Sequence, residues 1–203
     1  MNQVMLMIGT RKGGFLALSD VSRKRWELQG PVFKGVEVNF IHLISGSPPV
    51  IYMAGKSAWW GPALSLSRDF GNTWGEPATP VRFPDGRGLT LERIWAIETD
   101  PSSAQDAVYV GVDPAALLRS TDGGRTWEDI RSLTDHPTRH QWFPGAGGMM
   151  VHSICRDPRD PRRMFVAISA AGVFRTDDGG QTWNPKNKGV RADFLPEKFS
   201  AVG

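Results

Sequence analysis

A single cysteine, Cys155, has no second thiol to pair with, so a disulfide-stapled fold is excluded and a reducing, cytoplasmic compartment is expected. No apolar run approaches the ~20 residues of a membrane span, and the start Met1-Asn2-Gln3 carries neither a charged leader nor a cleavage site, so no membrane association is expected. Tyrosine is also scarce, with only Tyr52 and Tyr109, which limits chemistry that needs a phenolic nucleophile. The net charge of +3 is too mild for a nucleic-acid footprint, and the cluster of Arg156, Arg159, Arg162 and Arg163 around Asp157-Pro158 reads as a solvated turn. What is abundant is turn and ring: 23 Gly, 15 Pro and 8 Trp in 203 residues suit a β domain with one sizeable core and little room for helix.

One eight-residue phrase occurs three times: Ser67-Arg68-Asp69-Phe70-Gly71-Asn72-Thr73-Trp74, Ser120-Thr121-Asp122-Gly123-Gly124-Arg125-Thr126-Trp127 and Thr176-Asp177-Asp178-Gly179-Gly180-Gln181-Thr182-Trp183. A hairpin that reverses this tightly needs side-chain acceptors for its backbone N–H groups and a residue with positive φ. Ser or Thr with Asp supply the first, and Gly71, Gly124 and Gly180 the second. Trp74, Trp127 and Trp183 then start the outgoing strand with a ring to bury. A carboxylate consumed by its own turn is a poor acid or nucleophile, so Asp69, Asp122 and Asp178 are read as structural.

From Asp69 to Asp122 is 53 residues and from Asp122 to Asp178 is 56, the spacing of a repeated supersecondary unit. Each phrase follows a glycine-punctuated strand pair, at 51–55 and 63–66, 108–111 and 116–118, and 164–167 and 172–174. Another strand precedes each pair, at 38–44, 93–99 and 151–156, the last two ending in Asp100-Pro101 and Asp157-Pro158 turns. Four short antiparallel strands per period predict an all-β fold, a β-propeller of four-stranded blades. A worn copy opens the chain, matching second, third and fourth strands and keeping Ser19 and Trp26 of the phrase.

About three and three-quarter blades are therefore present in a single, incomplete propeller domain over 1–203. Blade 1 covers about 1–30, blade 2 about 31–80, blade 3 about 81–133 and blade 4 about 134–187, with a tail at 188–203. Three architectures fit: a stretch of a longer propeller, a four-bladed ring closed by a strand near Phe199, or two copies joined through open blade edges.

The phrase, the Gly-Val-Phe-Arg-Thr strand before it and the Asp-Pro turns resemble the bacterial neuraminidase repeat, or Asp-box, superfamily, which includes sialidases, xyloglucanases, sortilin-type receptors and a photosystem II assembly factor. Gly9-Thr10-Arg11-Lys12-Gly13, Asp135-His136-Pro137 with Trp142-Phe143-Pro144-Gly145, and Asn187-Lys188-Gly189-Val190-Arg191-Ala192 further resemble bacterial sialidase-like proteins described as glycosyl hydrolases. The resemblance implies a carbohydrate ligand or, through the assembly-factor and receptor branches, a protein partner. Sialidases combine an arginine triad, an aspartic acid and a Glu-activated Tyr. Here Tyr52 and Tyr109 occupy equivalent strand positions, which points to packing, and Arg11 sits early enough in the first blade to be a loose stand-in for the first triad arginine.

The repeat topology puts the interblade and second-to-third strand loops on one face, opposite the Asp-box hairpins, and that face surrounds the channel. Glu37 and Glu92 begin successive innermost strands and could act as paired acid and base beside Arg11 and Arg93, or form rim salt bridges with Arg93, Arg11 or Lys12. Lys12, Trp59, Trp60, Arg139, His140, Gln141, Trp142 and His152 are the candidates for ligand binding, the tryptophans as a stacking floor or as packing under loops. No cofactor and no metal are expected. The alternative is a zinc site from Asp135, His136, His140 and His152, although a loop does not fix their spacing as a helix would.

Overall fold

The computed structural model describes residues 3–44, 49–77, 79–100, 107–144, 147–169 and 171–190. They form antiparallel sheets with a single α-helical turn and a single 3-10 turn, and no described helix is long and apolar enough to cross a membrane. The chain divides into two compact units, Met1–Val81 and Arg82–Gly203. The candidate closing strand near Phe199 and the residue after Asp100 lie outside the described residues.

In the first unit, β1 (Gln3–Thr10), β2 (Gly13–Asp20) and β3 (Glu27–Val32) make one sheet, and β4 (Glu37–Ile44), β5 (Val50–Ser57) and β6 (Gly61–Ser67) a second. The second sheet was expected to have four strands. Its outer strand is reduced to a bridge between Leu66 and Gly75, because Pro77, two residues on, has no N–H to extend the ladder. Leu16, Ile51, Met53 and Ala54 are fully buried in this unit. Gly9 lets β1 and β4 close on one another, since a Cβ there would lie 2.7 Å from the Val38 carbonyl oxygen.

The second unit holds two four-stranded sheets, each in simple meander order. One is β7 (Arg93–Asp100), β8 (Ala107–Asp113), β9 (Ala116–Ser120) and β10 (Glu128–Asp129). The other is β11 (Val151–Asp157), β12 (Asp160–Ile168), β13 (Gly172–Thr176) and β14 (Asn184–Pro185). Every residue of β8 but Asp113 is buried, so it reads as a continuous apolar run rather than an alternating one. The core gathers Leu117, Leu133, Val151 and Phe174 with the rings of Trp142 and Trp183, each such side chain contributing about 1.5–3 kcal/mol by leaving water.

The three octapeptide hairpins share one hydrogen-bond network. The Ser or Thr hydroxyl donates to the Asp at 2.8, 2.8 and 2.7 Å and accepts from the glycine N–H at 2.8 Å in all three. The Asp in turn takes the threonine N–H at 2.8, 2.9 and 2.9 Å and its hydroxyl at 2.6, 2.7 and 2.6 Å. Those donors hold the Asp69 carboxyl below its ordinary range and push Asp122 and Asp178 down to about 2. Gly71, Gly124 and Gly180 are left-handed, with φ of 88°, 86° and 93°, and so is the preceding residue, which is glycine in two copies and Phe70, at 58°, in the first.

The worn copy keeps the second of these two left-handed positions. Arg23 stands in the glycine's place at φ 55°, and the Trp26 indole donates to the Arg23 carbonyl at 3.1 Å as Trp74 does to Gly71 at 3.0 Å. Asp20 replaces the lost aspartate one position earlier, accepting from Ser22 N at 2.9 Å.

Candidate functional site

In every sheet the turn between second and third strands lies at the end of the strands away from the octapeptide hairpin, and in the first unit Arg11, Lys12, Trp59 and Trp60 lie on such turns. Arg11 and Lys12 are exposed at the tip between β1 and β2. That turn is pinned by the Thr10 hydroxyl donating to Gly13 O at 2.7 Å and by Gly35 N donating to Lys12 O at 3.1 Å. Trp59 and Trp60 crown the β5–β6 turn with 88% and 74% of their surfaces exposed. Trp59 N donates to the Ser57 hydroxyl at 3.1 Å, so the backbone under the two indoles is fixed while the rings stay in water. Two neighbouring indoles exposed to this extent contribute little to the fold by burial.

The innermost strands carry a feature that alternation alone does not reveal. Each is bulged at the same place, between Val38 and Phe40, between Ile94 and Ala96, and between Val151 and Ser153. The extra residues are Asn39, Trp95 and His152. A bulge turns a side chain away from the regular pleat and recurs beside binding sites.

In the first unit, Asn39 donates to Glu37 Oε1 at 3.1 Å, and Glu37 stands opposite Lys56 in the β4–β5 register. In the second, the Arg93 guanidinium lies 5.9 Å from the centre of the Trp95 ring. Glu92 enters β7 with its N–H on the Asp113 carbonyl at 2.8 Å, and His152 shares a 2.9 Å hydrogen bond with Ser153.

The long loop 131–149 is built inward. It begins with α1 (Arg131–Thr134), carries a 3-10 turn at Arg139–Gln141, and is tied down by Arg87, which bonds Asp129 at 2.7 Å and Asp135 at 2.6 Å. Arg87, and then Arg131 at 3.0 Å, hold the Asp135 carboxyl below its usual range.

His136 is buried, edge-on to Phe174 at 5.0 Å and stacked with Trp142 at 6.0 Å. Its Nε2–H donates to the Trp183 carbonyl at 3.2 Å, which leaves Nδ1 to accept from Thr138 N at the same distance. Asp135 and His136 are thereby committed to the loop, and the alternative zinc set loses both. Among the described residues, no group of three or more His, Cys, Asp and Glu side chains is placed to hold a metal ion.

Trp142 also departs from the expected aromatic floor. It is only 7% exposed, its indole donates to the Thr138 hydroxyl at 3.0 Å, and Arg139 covers its other face at 5.0 Å. Burial there pushes the Arg139 guanidinium down from its ordinary range, and the side chain donates to the Ala115 carbonyl. His140 and Gln141 remain exposed at the loop surface, 3.4 Å apart. Tyr52 and Tyr109 are both buried, the latter beneath the Arg156 guanidinium at 5.5 Å.

Sequence reasoning missed Phe33, Ser65 and Glu76. These line a small open groove of about 60 Å³ beside β5 and β6, together with Trp60.

Comparison with known proteins adds two kinds of likeness. No protein-family model matches the chain. A probable oligoxyloglucan-reducing end-specific xyloglucanase of Neosartorya fischeri is 28% identical over 113 residues, which is 51% of this chain and 11% of that protein. Among solved structures, the GH74 xyloglucanase from Xanthomonas campestris is similar over 89% of this chain and 28% of its own, with a TM-score of 0.62 at 16% identity. YCF48 from Cyanidioschyzon merolae is similar over 98% of this chain and 55% of its own, with a TM-score of 0.51 at 14% identity. The all-β, partial-propeller fold is shown by these likenesses, and the chain spans between about a tenth and about half of the relatives it matches.

Proposed function

We propose that this chain is a carbohydrate-active stretch of an Asp-box, sialidase-like propeller, binding a glycan at the face that carries the second-to-third strand turns. The observation that carries it is the pair of exposed indoles, Trp59 and Trp60, on a pinned turn. A ring with most of its surface in water offers a face on which the apolar side of a sugar can stack. The partial match to a xyloglucanase favours the same class of ligand.

In this reading the first unit offers Glu37 as an acid/base candidate with Arg11 and Lys12 for polar contacts, and the second offers Glu92 with Arg93, Arg139, His140, Gln141 and His152. Both tyrosines are buried, which disfavours either as a sialidase-type phenolic nucleophile, and the partial match to a xyloglucanase favours a neutral glycan. Hydrolysis and binding of a panel of xyloglucan oligosaccharides, cello-oligosaccharides and sialosides tests this. Turnover of a glycan that survives Glu92→Gln unchanged removes Glu92 from the chemistry, and failure of every glycan to bind overturns the reading.

A second reading, a non-catalytic scaffold for a protein partner, has its own observation. Leu6 and Leu28 lie in one cross-strand row through Ala17 and are 50% and 62% exposed, with Ile8 at 41% two residues along β1. An apolar row of this kind suits packing against further blades or another chain. Native mass against protein concentration tests it.

A further inference from the structure

The turn that follows α1 is started by one imidazole. His136 is only 8% exposed, and both of its ring nitrogens are in use. Nε2–H donates to the Trp183 carbonyl at 3.2 Å, and Nδ1 accepts from Thr138 N at 3.2 Å. Nδ1 also lies 2.8 Å from the Thr138 hydroxyl, which takes the Trp142 indole N–H at 3.0 Å. The chain then closes on itself, with Arg139 N on the His136 carbonyl at 2.8 Å, Gln141 N on that of Thr138 at 2.8 Å and Trp142 N on that of Arg139 at 3.1 Å.

This wiring holds for one protonation state. A proton on Nδ1 turns an acceptor into a donor, so the Thr138 N–H meets another N–H and loses its partner, and the Thr138 hydroxyl must turn from donor to acceptor. A buried donor left in that way is costly. The charge also arrives in poor surroundings, because the imidazole is edge-on to Phe174 and stacked on Trp142, whose other face Arg139 already covers. An imidazolium therefore places a cation on each face of one indole.

The charged groups of the surrounding elements are otherwise engaged. Asp129 of β10 and Asp135 at the end of α1 are held by Arg87, and Asp135 also by Arg131. In the 3-10 turn, Arg139 donates to the Ala115 carbonyl, and His140 Nδ1 lies 2.9 Å from the Pro137 carbonyl. Arg119 of β9 pairs with Glu128 and Arg175 of β13 with Asp177, while Lys186, after β14, is exposed. Among the described residues no carboxylate forms an ion pair with His136.

α1 itself is anchored by the fully buried Leu133, by the Ser132 hydroxyl on the Gly180 carbonyl and by Arg87 on Asp135. Any opening is thus confined to the residues after His136, and these carry the exposed His140 and Gln141.

We infer that His136 is a proton-operated latch on the segment Pro137–Trp142. Neutral, it holds the turn closed; protonated, it lets the turn open and takes His140 and Gln141 out of their closed positions. Imidazole is the side chain whose ordinary titration falls between about pH 5 and 8, so mild acid is the signal. The latch operates whatever the loop surface binds.

The test is nitrogen-resolved NMR of the full chain from about pH 8 to about pH 5, a range above that in which the hairpin aspartates titrate. The His136 ring signals report where its protons sit. The Thr138 amide and the Trp142 indole N–H report the turn through their solvent exchange, corrected for its intrinsic pH dependence. The expected result is that both exchange at least about fivefold faster as Nδ1 takes up a proton, while the amides of β12 keep their rates. His136→Gln, whose side-chain amide can donate to Trp183 and accept from Thr138 without titrating, should keep both rates level across the range. Protonation of Nδ1 with no change at Thr138 and Trp142, an imidazole that stays neutral to the acid end, or the same acceleration in a folded His136→Gln overturns the latch. If that variant does not fold, the wild-type comparison of ring and turn decides alone.

Discussion

Gly111 meets the main chain of Val151 so closely that a Cβ added to the glycine would lie 2.5 Å from the Val151 carbonyl oxygen. The contact joins β8 to the innermost strand of the next sheet, and Gly9 makes the corresponding contact with Val38 in the first unit. Backbone cannot retreat as a flexible side chain can. Gly111→Ala is therefore expected to destabilise the second unit by about 1–3 kcal/mol, read as a lower midpoint of chemical denaturation.

The hairpin aspartates set an acid limit. Asp122 and Asp178 titrate near 2 when folded, below the ordinary value of 3.8, and Asp69 is shifted the same way. The unfolded chain binds these protons more tightly, so the stability they confer is complete above the ordinary carboxylate range and drains as pH falls from about 4 towards 2. Melting temperatures taken from pH 6 to pH 2 should fall in that window, and Asp122→Asn together with Asp178→Asn should flatten the fall while lowering stability at neutral pH.

Phe70 occupies a left-handed position that glycine fills in the other two hairpins, and half of its surface is exposed. Phe70→Gly should relieve about 1–2 kcal/mol of backbone strain against about 1 kcal/mol of added freedom in the unfolded chain, for a small net gain or none. The reciprocal change is cleaner. Gly123 has φ 71° and open space where a Cβ would go, so Gly123→Ala isolates the backbone penalty, about 1 kcal/mol by thermal melting.

Trp59 and Trp60 should be separable from folding. Each is largely exposed, so alanine at either site should change stability by no more than about 0.5 kcal/mol while weakening glycan binding by about tenfold. Titration with a xyloglucan oligosaccharide beside thermal melts checks both halves.

The strands were legible because glycine, proline and a regular apolar period mark them locally, as at 108–111 and 172–174, and the hairpins because each is a self-contained turn. The site was only partly legible. Trp59 and Trp60 stand out as rings in a turn too short to bury them. Trp142 has the same sequence appearance beside Arg139 and Gln141, but its fate depends on Phe174, which packs against it from β13, and on His136, which the folding of its own loop stacks on it. The bulges at Asn39, Trp95 and His152 leave no local mark, since one extra residue alters neither composition nor hydropathy. The groove required Phe33, Ser65 and Glu76 to be brought together by sheet register, which no local pattern encodes.

Arg23 and Trp26 hold a corner whose aspartate and glycine have both been replaced. What passes from copy to copy is thus a path of the main chain, with the familiar side chains as its most replaceable part. A census of such units by their letters alone will come up short, whereas a left-handed corner followed three residues later by an indole would recover worn copies that have lost their spelling.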